Sequence, residues 1–114
     1  MMRKNNRNTK KSSPEQLIED DAFAIHKSKG NGVLRRQIWV NTKGEVTRYS
    51  LAYINHHLFT GDNGRVLGYD NAHGYHHKHL FGEIEHVTYT NFENLEERFQ
   101  QEFEVLHEKT QKKK

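Results

Sequence analysis

Alternating apolar and polar positions predict a series of β-strands through the middle of the chain. The alternation is clearest in residues 33–41 and 45–55, which together are rich in Val, Ile, Tyr and Thr. Segment 45–55 has apolar side chains on both faces, which is typical of a central strand. Residues 65–70 and 80–89 predict two further strands, the second of them interrupted at Gly82. Turn sequences rich in Gly and Asn separate several of these segments, so we expect neighbouring strands to run antiparallel.

The segment before these strands has a mixed pattern. A serine ahead of Pro14, followed by acidic residues, predicts a short helical turn near residues 14–20. The alternation that follows predicts a strand at residues 21–27 that enters a hairpin.

The C-terminal segment predicts an amphipathic helix. Thr90 and Glu93 match a capping box, and apolar residues then recur at steps of three and four up to Leu106. We interpret this aromatic and aliphatic stripe as the surface that packs on the sheet. The sequence therefore predicts an α+β fold, an antiparallel meander of four to five strands packed by one C-terminal amphipathic helix.

Basic residues at the two ends of the chain flank an acidic body. Residues 1–13 and 109–114 hold nine of the 18 Lys and Arg and none of the 15 Asp and Glu. Both segments are predicted to be disordered basic tails around a single domain at residues 14–108. That domain keeps nine Lys and Arg against 15 acids, a net charge of −6, so the calculated pI of 9.2 reflects the tails. The basic pI is therefore only a weak indication of nucleic-acid binding.

Two absences narrow the class of protein. The chain has no cysteine, which excludes disulfides, a thiolate nucleophile and cysteine-based zinc sites. It also has no apolar run of transmembrane length and no signal peptide, so we expect a soluble, cytoplasmic protein without a membrane partner.

A twelve-residue stretch, residues 68–79, concentrates the candidate chemistry. It contains four of the nine histidines together with two tyrosines, an aspartate, an asparagine and a lysine. Histidine exchanges protons near neutral pH and is also a common metal ligand. Because strand-like apolar segments flank it, we interpret this stretch as a functional loop rather than as a solvated turn. If the chain re-enters the sheet after the loop, His77 and His79 share one face, whereas His76 and Lys78 share the other.

Three functions remain open for this loop. The first is metal-independent RNA cleavage, in which a neutral histidine takes the 2′-hydroxyl proton, a protonated histidine or tyrosine protonates the leaving 5′-oxygen, and a cation stabilises the phosphorane. The second is a site for a divalent metal, although the spacing of the histidines matches no familiar zinc motif; no other cofactor is expected. The third is a binding surface without catalysis, on which aromatic rings stack on bases and a lysine contacts phosphate.

Each of these functions selects particular side chains. In a nuclease Asp70 would orient one imidazole, and the proton-transferring groups would come from four histidines: His73, His76, His77 and His79. The candidates for substrate binding are a strand arginine, two tyrosines and a lysine: Arg48, Tyr69, Tyr75 and Lys78. A bound metal would take its ligands from the same loop, with His73, His77 and His79 as the preferred set.

Three runs of the sequence resemble the TumE family of bacterial type II toxin–antitoxin systems. They are residues 48–54 (RYSLAYI), 65–73 (RVLGYDNAH) and 76–79 (HHKH), and the resemblance extends over about residues 20–106. It implies a small cytoplasmic toxin that inhibits growth and is neutralised by a cognate antitoxin, generally a helix-turn-helix protein. A ribonuclease-like activity with RNA as substrate is compatible with such a toxin, whereas a non-catalytic regulatory module and a homodimer remain open. The family signature includes four residues, Asp70, Asn71, His77 and His79, which adds Asn71 to the candidate catalytic residues.

Overall fold

A computed structural model describes residues 14–111 of the chain. It contains a six-stranded antiparallel sheet whose strands neighbour each other in chain order. The strands are β1 (Gln16–Ala24), β2 (Val33–Val40), β3 (Val46–Ile54), β4 (Arg65–Asp70), β5 (His77–Leu80) and β6 (Glu83–His86), and helix α1 (Phe92–Gln111) follows them. The predicted α+β meander with a C-terminal helix is confirmed, with six strands in place of four to five.

The sixth strand arises within the segment predicted as one strand at residues 80–89. The chain reverses there, because Phe81 and Gly82 both have positive φ angles, of 48° and 84°. Two such residues in succession form the tight turn that joins twisted antiparallel strands. β5 and β6 are therefore the arms of a hairpin, and β5 begins at His77, inside the histidine-rich stretch.

The helical turn predicted near residues 14–20 is wrong, because residues 16–20 of this segment belong to β1. The strand predicted at residues 21–27 accordingly starts earlier, at Gln16, and ends at Ala24. Antiparallel pairing with β2 gives the acidic residues partners that a local pattern does not reveal. These are cross-strand ion pairs, Glu19 with Arg36 and Asp20 with Arg35.

Helix α1 begins differently from the predicted capping box. The side chain of Asn91 accepts a hydrogen bond from the backbone N–H of Asn94 at 2.7 Å, so Asn91 rather than the preceding threonine caps the helix. At its other end α1 includes residues 109–111, the first part of the segment predicted as a Lys-rich tail. The predicted disorder of residues 1–13 and 112–114 lies outside the described residues.

α1 packs across one face of the sheet and leaves the other face uncovered. Its three buried residues, Leu95, Phe99 and Phe103, share a core with aromatic and aliphatic side chains of the central strands, among them Tyr49, Leu51, Tyr53 and Tyr69. Successive residues of a strand point to opposite faces, so the residues that alternate with these tyrosines lie on the second face. We call it the open face, because no helix within residues 14–111 covers it. In the same part of the chain, no helix is both long enough and apolar enough to cross a membrane.

Candidate functional site

β4 and β5 bring an aspartate and two histidines together on the open face. In the register of this strand pair Asp70 lies opposite His77, and His79 follows two residues later on the same side. Tyr69 and Lys78 form the alternating pair, whose side chains point toward α1. The prediction that His77 and His79 share a face, opposite that of Lys78, is confirmed by this register.

The Asp70 carboxylate bridges the two imidazoles. Its Oδ1 lies 2.9 Å from Nε2 of His77, and its Oδ2 lies 3.1 Å from Nε2 of His79. The two rings meet edge to face with a centroid distance of 4.8 Å. The side chains are only 6%, 9% and 14% exposed for His77, His79 and Asp70, so water screens their charges weakly. We call these three residues the Asp–His cluster.

The two ring nitrogens of His77 face two hydrogen-bond acceptors. Its Nδ1 lies 3.1 Å from the backbone carbonyl oxygen of Tyr75, and its Nε2 faces the Asp70 carboxylate. A carbonyl and an ionised carboxylate both accept hydrogen bonds and cannot donate them. A proton on Nδ1 would bond to the carbonyl, and a second proton on Nε2 would place an imidazolium beside the carboxylate, which is a strong pairing.

His79 has different partners, and these favour the neutral ring. Its Nδ1 lies 3.1 Å from Nη2 of Arg65, a group that only donates, so Nδ1 accepts and the ring proton resides on Nε2, which donates to Asp70. Burial lowers the pKa of His79 and the charge of Arg65 lowers it further, which together outweigh the raising effect of Asp70. The two imidazoles on this carboxylate therefore have unlike surroundings, because the nitrogens of His77 face two acceptors and those of His79 face a donor and an acceptor.

Arg65 belongs to this site although it is not among the predicted site residues. Its Nε donates to Oδ2 of Asp62 at 2.8 Å, and its Nη1 lies 3.8 Å from Oδ2 of Asp70. Gly68 leaves the space for this side chain, because a Cβ at position 68 would lie 2.7 Å from Cδ of Arg65. The sequence feature that could have indicated the position of Arg65 is a glycine inside a strand, because such a glycine often marks the close approach of another group.

Two of the predicted substrate-binding residues lie on the opposite face, beneath α1. The Tyr69 hydroxyl donates to Oε1 of Glu102 at 2.5 Å, and Nζ of Lys78 donates to Oε2 of the same carboxylate at 3.2 Å. Arg98 donates to that carboxylate as well, at 3.3 Å. Tyr69 and Lys78 point toward α1, so they attach the helix to the sheet and are not accessible to a substrate on the open face.

Three of the predicted catalytic residues lie apart from the cluster. His76 is on the helix side of the sheet, where its Nδ1 lies 2.8 Å from the hydroxyl of Tyr49. Asn71 is bonded to the backbone of β3, since it donates to the carbonyl of Thr47 and accepts from the N–H of Tyr49. His73 is exposed in the turn after β4. In this structure His76 and Asn71 stabilise the loop rather than contact the carboxylate.

Arg48 and Tyr75 lie on the same face as the cluster. The guanidinium of Arg48 lies 4.0 Å from the ring centroid of Trp39, and its ion pair with Glu15 is long, at 3.5 Å. The ring of Tyr75 lies 4.7 Å from that of His77 at the edge of the sheet. Of the four predicted substrate-binding residues, these two are available to a ligand that reaches the Asp–His cluster.

Three possible ligand atoms of the cluster are spaced as in a metal site, but the positive charge of Arg65 lies beside them. One ligand atom from each of Asp70, His77 and His79 lies within 4.8 Å of the others, and His73, part of the predicted metal set, is not in this group. The bond from His77 to a backbone carbonyl is also the kind of contact that orients a metal-bound histidine. However, Arg65 places a positive charge next to Asp70 and keeps Nε2 of His79 protonated. A cation could bind here only after Arg65 moved away and His79 changed its tautomer.

Comparison with known proteins identifies the family of this chain. A family model described as Toxin TumE matches residues 4–110, which is nearly the whole chain. No curated protein and no solved structure matches it significantly. The match makes the chain a toxin component of a toxin–antitoxin system, with a cognate antitoxin as its partner. This chain belongs to the TumE toxin family.

Proposed function

We propose that this toxin cleaves RNA by general acid–base catalysis at the Asp–His cluster, without a metal ion. The observation that carries the proposal is the pair of imidazoles with unlike partners on one carboxylate: the nitrogens of His77 face two acceptors, and Nδ1 of His79 faces the donor Arg65. Cleavage of RNA through its 2′-hydroxyl needs one group that takes a proton and another that gives one. Two histidines in different protonation states supply both near neutral pH.

In the proposed reaction the substrate phosphate draws Arg65 away from His79, whose Nδ1 then accepts the proton of the 2′-hydroxyl. The 2′-oxygen bonds to phosphorus while the bond from phosphorus to the 5′-oxygen breaks. His77 gives the proton on Nε2 to that leaving oxygen, so the substrate loses one proton and gains one. The products are a 2′,3′-cyclic phosphate and a free 5′-hydroxyl, and Asp70 stabilises the charge that His79 acquires.

Two arginines of the open face suit the phosphates of the substrate. Guanidinium groups bind phosphate through paired N–H donors. Arg65 already lies over the cluster, and the pair between Arg48 and Glu15 is partly exposed and long, so a phosphate can replace it at little cost. In the proposed reaction these two arginines stabilise the phosphorane, because Lys78 lies on the other face of the sheet.

The cellular role that fits this activity is growth inhibition in the cytoplasm. RNA cleavage would stop growth until the antitoxin binds the toxin. A helix-turn-helix protein is the antitoxin that the family resemblance supports.

Incubation of the purified protein with labelled RNA near pH 7 tests the proposal. We expect products with 2′,3′-cyclic phosphate ends, unaffected by EDTA, and no cleavage of DNA of the same sequence. His79→Gln and Asp70→Asn should slow cleavage by at least about a hundredfold. His73→Asn is the matched control, because it lies in the same loop, outside the cluster, and asparagine tolerates the positive φ there.

Three other results would contradict parts of this proposal. Loss of cleavage in EDTA, restored by a divalent ion, would replace the metal-free reaction with a metal-dependent one. Binding of RNA without cleavage would favour a non-catalytic binding module. Cleavage at the wild-type rate by His79→Gln would place the chemistry elsewhere.

A further inference from the structure

Two aromatic rings form an exposed stack beside the Asp–His cluster, at the edge of the sheet. Tyr75 and His86 are nearly parallel, with an interplanar angle of 9° and a centroid distance of 5.4 Å. His86 lies on β6, directly opposite His77 in the register of the last hairpin. Because the ring of Tyr75 also lies 4.7 Å from that of His77, the stack is continuous with the cluster. We call Tyr75 and His86 the aromatic platform.

Exposure distinguishes this platform from the aromatic core. Tyr75 is 42% exposed and His86 is exposed, whereas the tyrosines beneath α1 are at most 1% exposed: Tyr49, Tyr53 and Tyr69. A tyrosine ring left in water forgoes the free energy of burial. The group that fixes His77 is the backbone carbonyl of Tyr75, not its side chain. The hydrogen bonds of the cluster therefore do not require the phenol ring, which is free to contact a ligand.

We infer that the platform binds an unpaired nucleobase next to the cleaved phosphate, and that the substrate is single-stranded RNA. Aromatic side chains stack on the splayed bases of single strands, with little preference among base types. In a duplex the faces of the bases are covered by their neighbours, so the platform has nothing to bind. A base stacked on Tyr75 would bring its adjoining phosphate to the neighbouring ring of His77, within reach of Arg65.

This inference rests on the proposed RNA cleavage, and binding of an RNA that cannot be cleaved isolates it. A 2′-O-methyl oligonucleotide lacks the attacking hydroxyl, so its affinity reports contacts alone. Tyr75→Ala should weaken binding about 5- to 150-fold, the range for one lost base stack. Tyr75→Phe keeps the ring and should bind as the wild type does. Phe23→Ala removes a 65% exposed aromatic side chain from β1, at the opposite edge of the sheet, and should also leave affinity unchanged.

Abasic substitutions in the oligonucleotide identify the stacked base. At one position beside the blocked linkage, removal of the base should weaken binding to the wild-type protein. The fold-change in affinity should equal the one that Tyr75→Ala causes with the intact oligonucleotide. The same removal should cost the Tyr75→Ala protein nothing further, because the contact is already absent. Additive losses at every position would overturn the inference.

Cleavage of unblocked RNA separates failure of this inference from failure of the proposed function. We expect the wild type to cut single-stranded RNA and to leave a duplex of the same sequence intact. Equal cutting of the duplex, or wild-type affinity of Tyr75→Ala in a protein that cleaves RNA, would overturn the single-strand inference alone. A folded wild type that neither binds nor cleaves RNA would overturn both.

Discussion

Gly68 determines where Arg65 can lie, and through Arg65 which nitrogen of His79 accepts a hydrogen bond. A methyl group at position 68 would lie 2.7 Å from Cδ of Arg65, closer than two such carbons approach. Because the neighbour is a flexible side chain, we expect Gly68→Ala to displace Arg65 while the free energy of unfolding changes by no more than about 1 kcal/mol. RNA cleavage should fall at least about tenfold, because His79 loses the partner that keeps its proton on Nε2.

Initial cleavage rates measured beside thermal unfolding curves check this prediction. Arg65→Lys is the companion variant, because an ammonium lacks the planar fork that reaches both Asp62 and His79. It should lose activity to a similar extent and remain folded. A Gly68→Ala protein that cleaves RNA at the wild-type rate would show that the position of Arg65 is irrelevant to the reaction.

Arg65 also shows where strand alternation stops being a guide to side-chain placement. A regular strand would put Arg65 on the same face as Tyr69, beneath α1. A register shift between β3 and β4 at this end of the pair turns its side chain to the open face instead. His77 and His79 follow the regular alternation, so their shared face could be predicted from sequence. The contribution of Arg65 could not, because a bulge depends on how two strands pair.

His76 is expected to make the folded state less stable as the pH falls. Burial lowers its pKa, and the charges of His86 and His77 lower it further. In the unfolded chain it takes up a proton around pH 6.5, so below that pH the unfolded state binds more protons than the folded state. Its contribution to stability is therefore complete above about pH 6.5 and is lost as the pH falls toward the lowered pKa.

Urea unfolding of the wild type and of His76→Gln, at about pH 7.5 and about pH 5.5, tests this assignment. Glutamine can still bond to the Tyr49 hydroxyl but does not titrate. The free energy of unfolding should fall more between the two pH values in the wild type than in the variant. Equal falls in both proteins would mean that another group carries the pH dependence.

Glu102 is one of the residues through which α1 is bonded to the sheet. Its carboxylate accepts from Tyr69, Lys78 and Arg98. Burial alone raises the pKa of Glu102, but the hydrogen bonds from Tyr69 and Lys78 outweigh this and leave the pKa below its usual value. We expect Glu102→Ala to lower the free energy of unfolding by about 3 kcal/mol, because it removes the acceptor of the buried Tyr69 hydroxyl and leaves the Lys78 ammonium with only the longer ion pair to Glu85, at 3.9 Å.

Urea unfolding of matched helix variants checks this value. Glu97→Ala removes an exposed acid from the same helix and should change the free energy of unfolding by less than about 0.5 kcal/mol. The double variant Lys78→Met/Glu102→Leu replaces the buried pair by apolar groups and should recover much of the loss. A Glu102→Ala protein as stable as Glu97→Ala would show that the hydrogen bonds of Glu102 do not contribute to the free energy of unfolding.

The elements that sequence patterns misplaced are those that depend on distant partners. Residues 14–20 carry a local helix signal, yet Glu19 and Asp20 bind arginines of β2 and the segment forms a strand. The pattern at residues 80–89 reads as one strand, because a turn with Phe81 at positive φ has no strong local signature. By contrast, the stripe of apolar residues in α1 repeats over several turns, so the helix was predicted from its own sequence.

In the described part of the molecule the core and the candidate site lie on opposite faces of the sheet. The helix-covered face holds the aromatic core and the Glu102 contacts, and the open face holds the Asp–His cluster and Arg48. The net charge of residues 14–108 is −6, with nine basic and 15 acidic residues. In the proposed function the folded domain would therefore attract RNA only through the basic side chains of the open face. Because the core lies on the other face, a substitution on the open face should remove activity without unfolding the protein.

Growth inhibition by the toxin in cells should depend on the residues of the Asp–His cluster. Binding of the toxin to its antitoxin should not depend on them. We expect induced expression of the wild type to stop growth and degrade RNA, and His79→Gln to do neither, because the variant lacks the imidazole that takes the 2′-hydroxyl proton. Co-purification with the antitoxin provides the control for folding, since a folded variant keeps its partner. Growth arrest with intact RNA would leave this chain a toxin with another target. Arrest by His79→Gln equal to that of the wild type would remove the cluster from the mechanism.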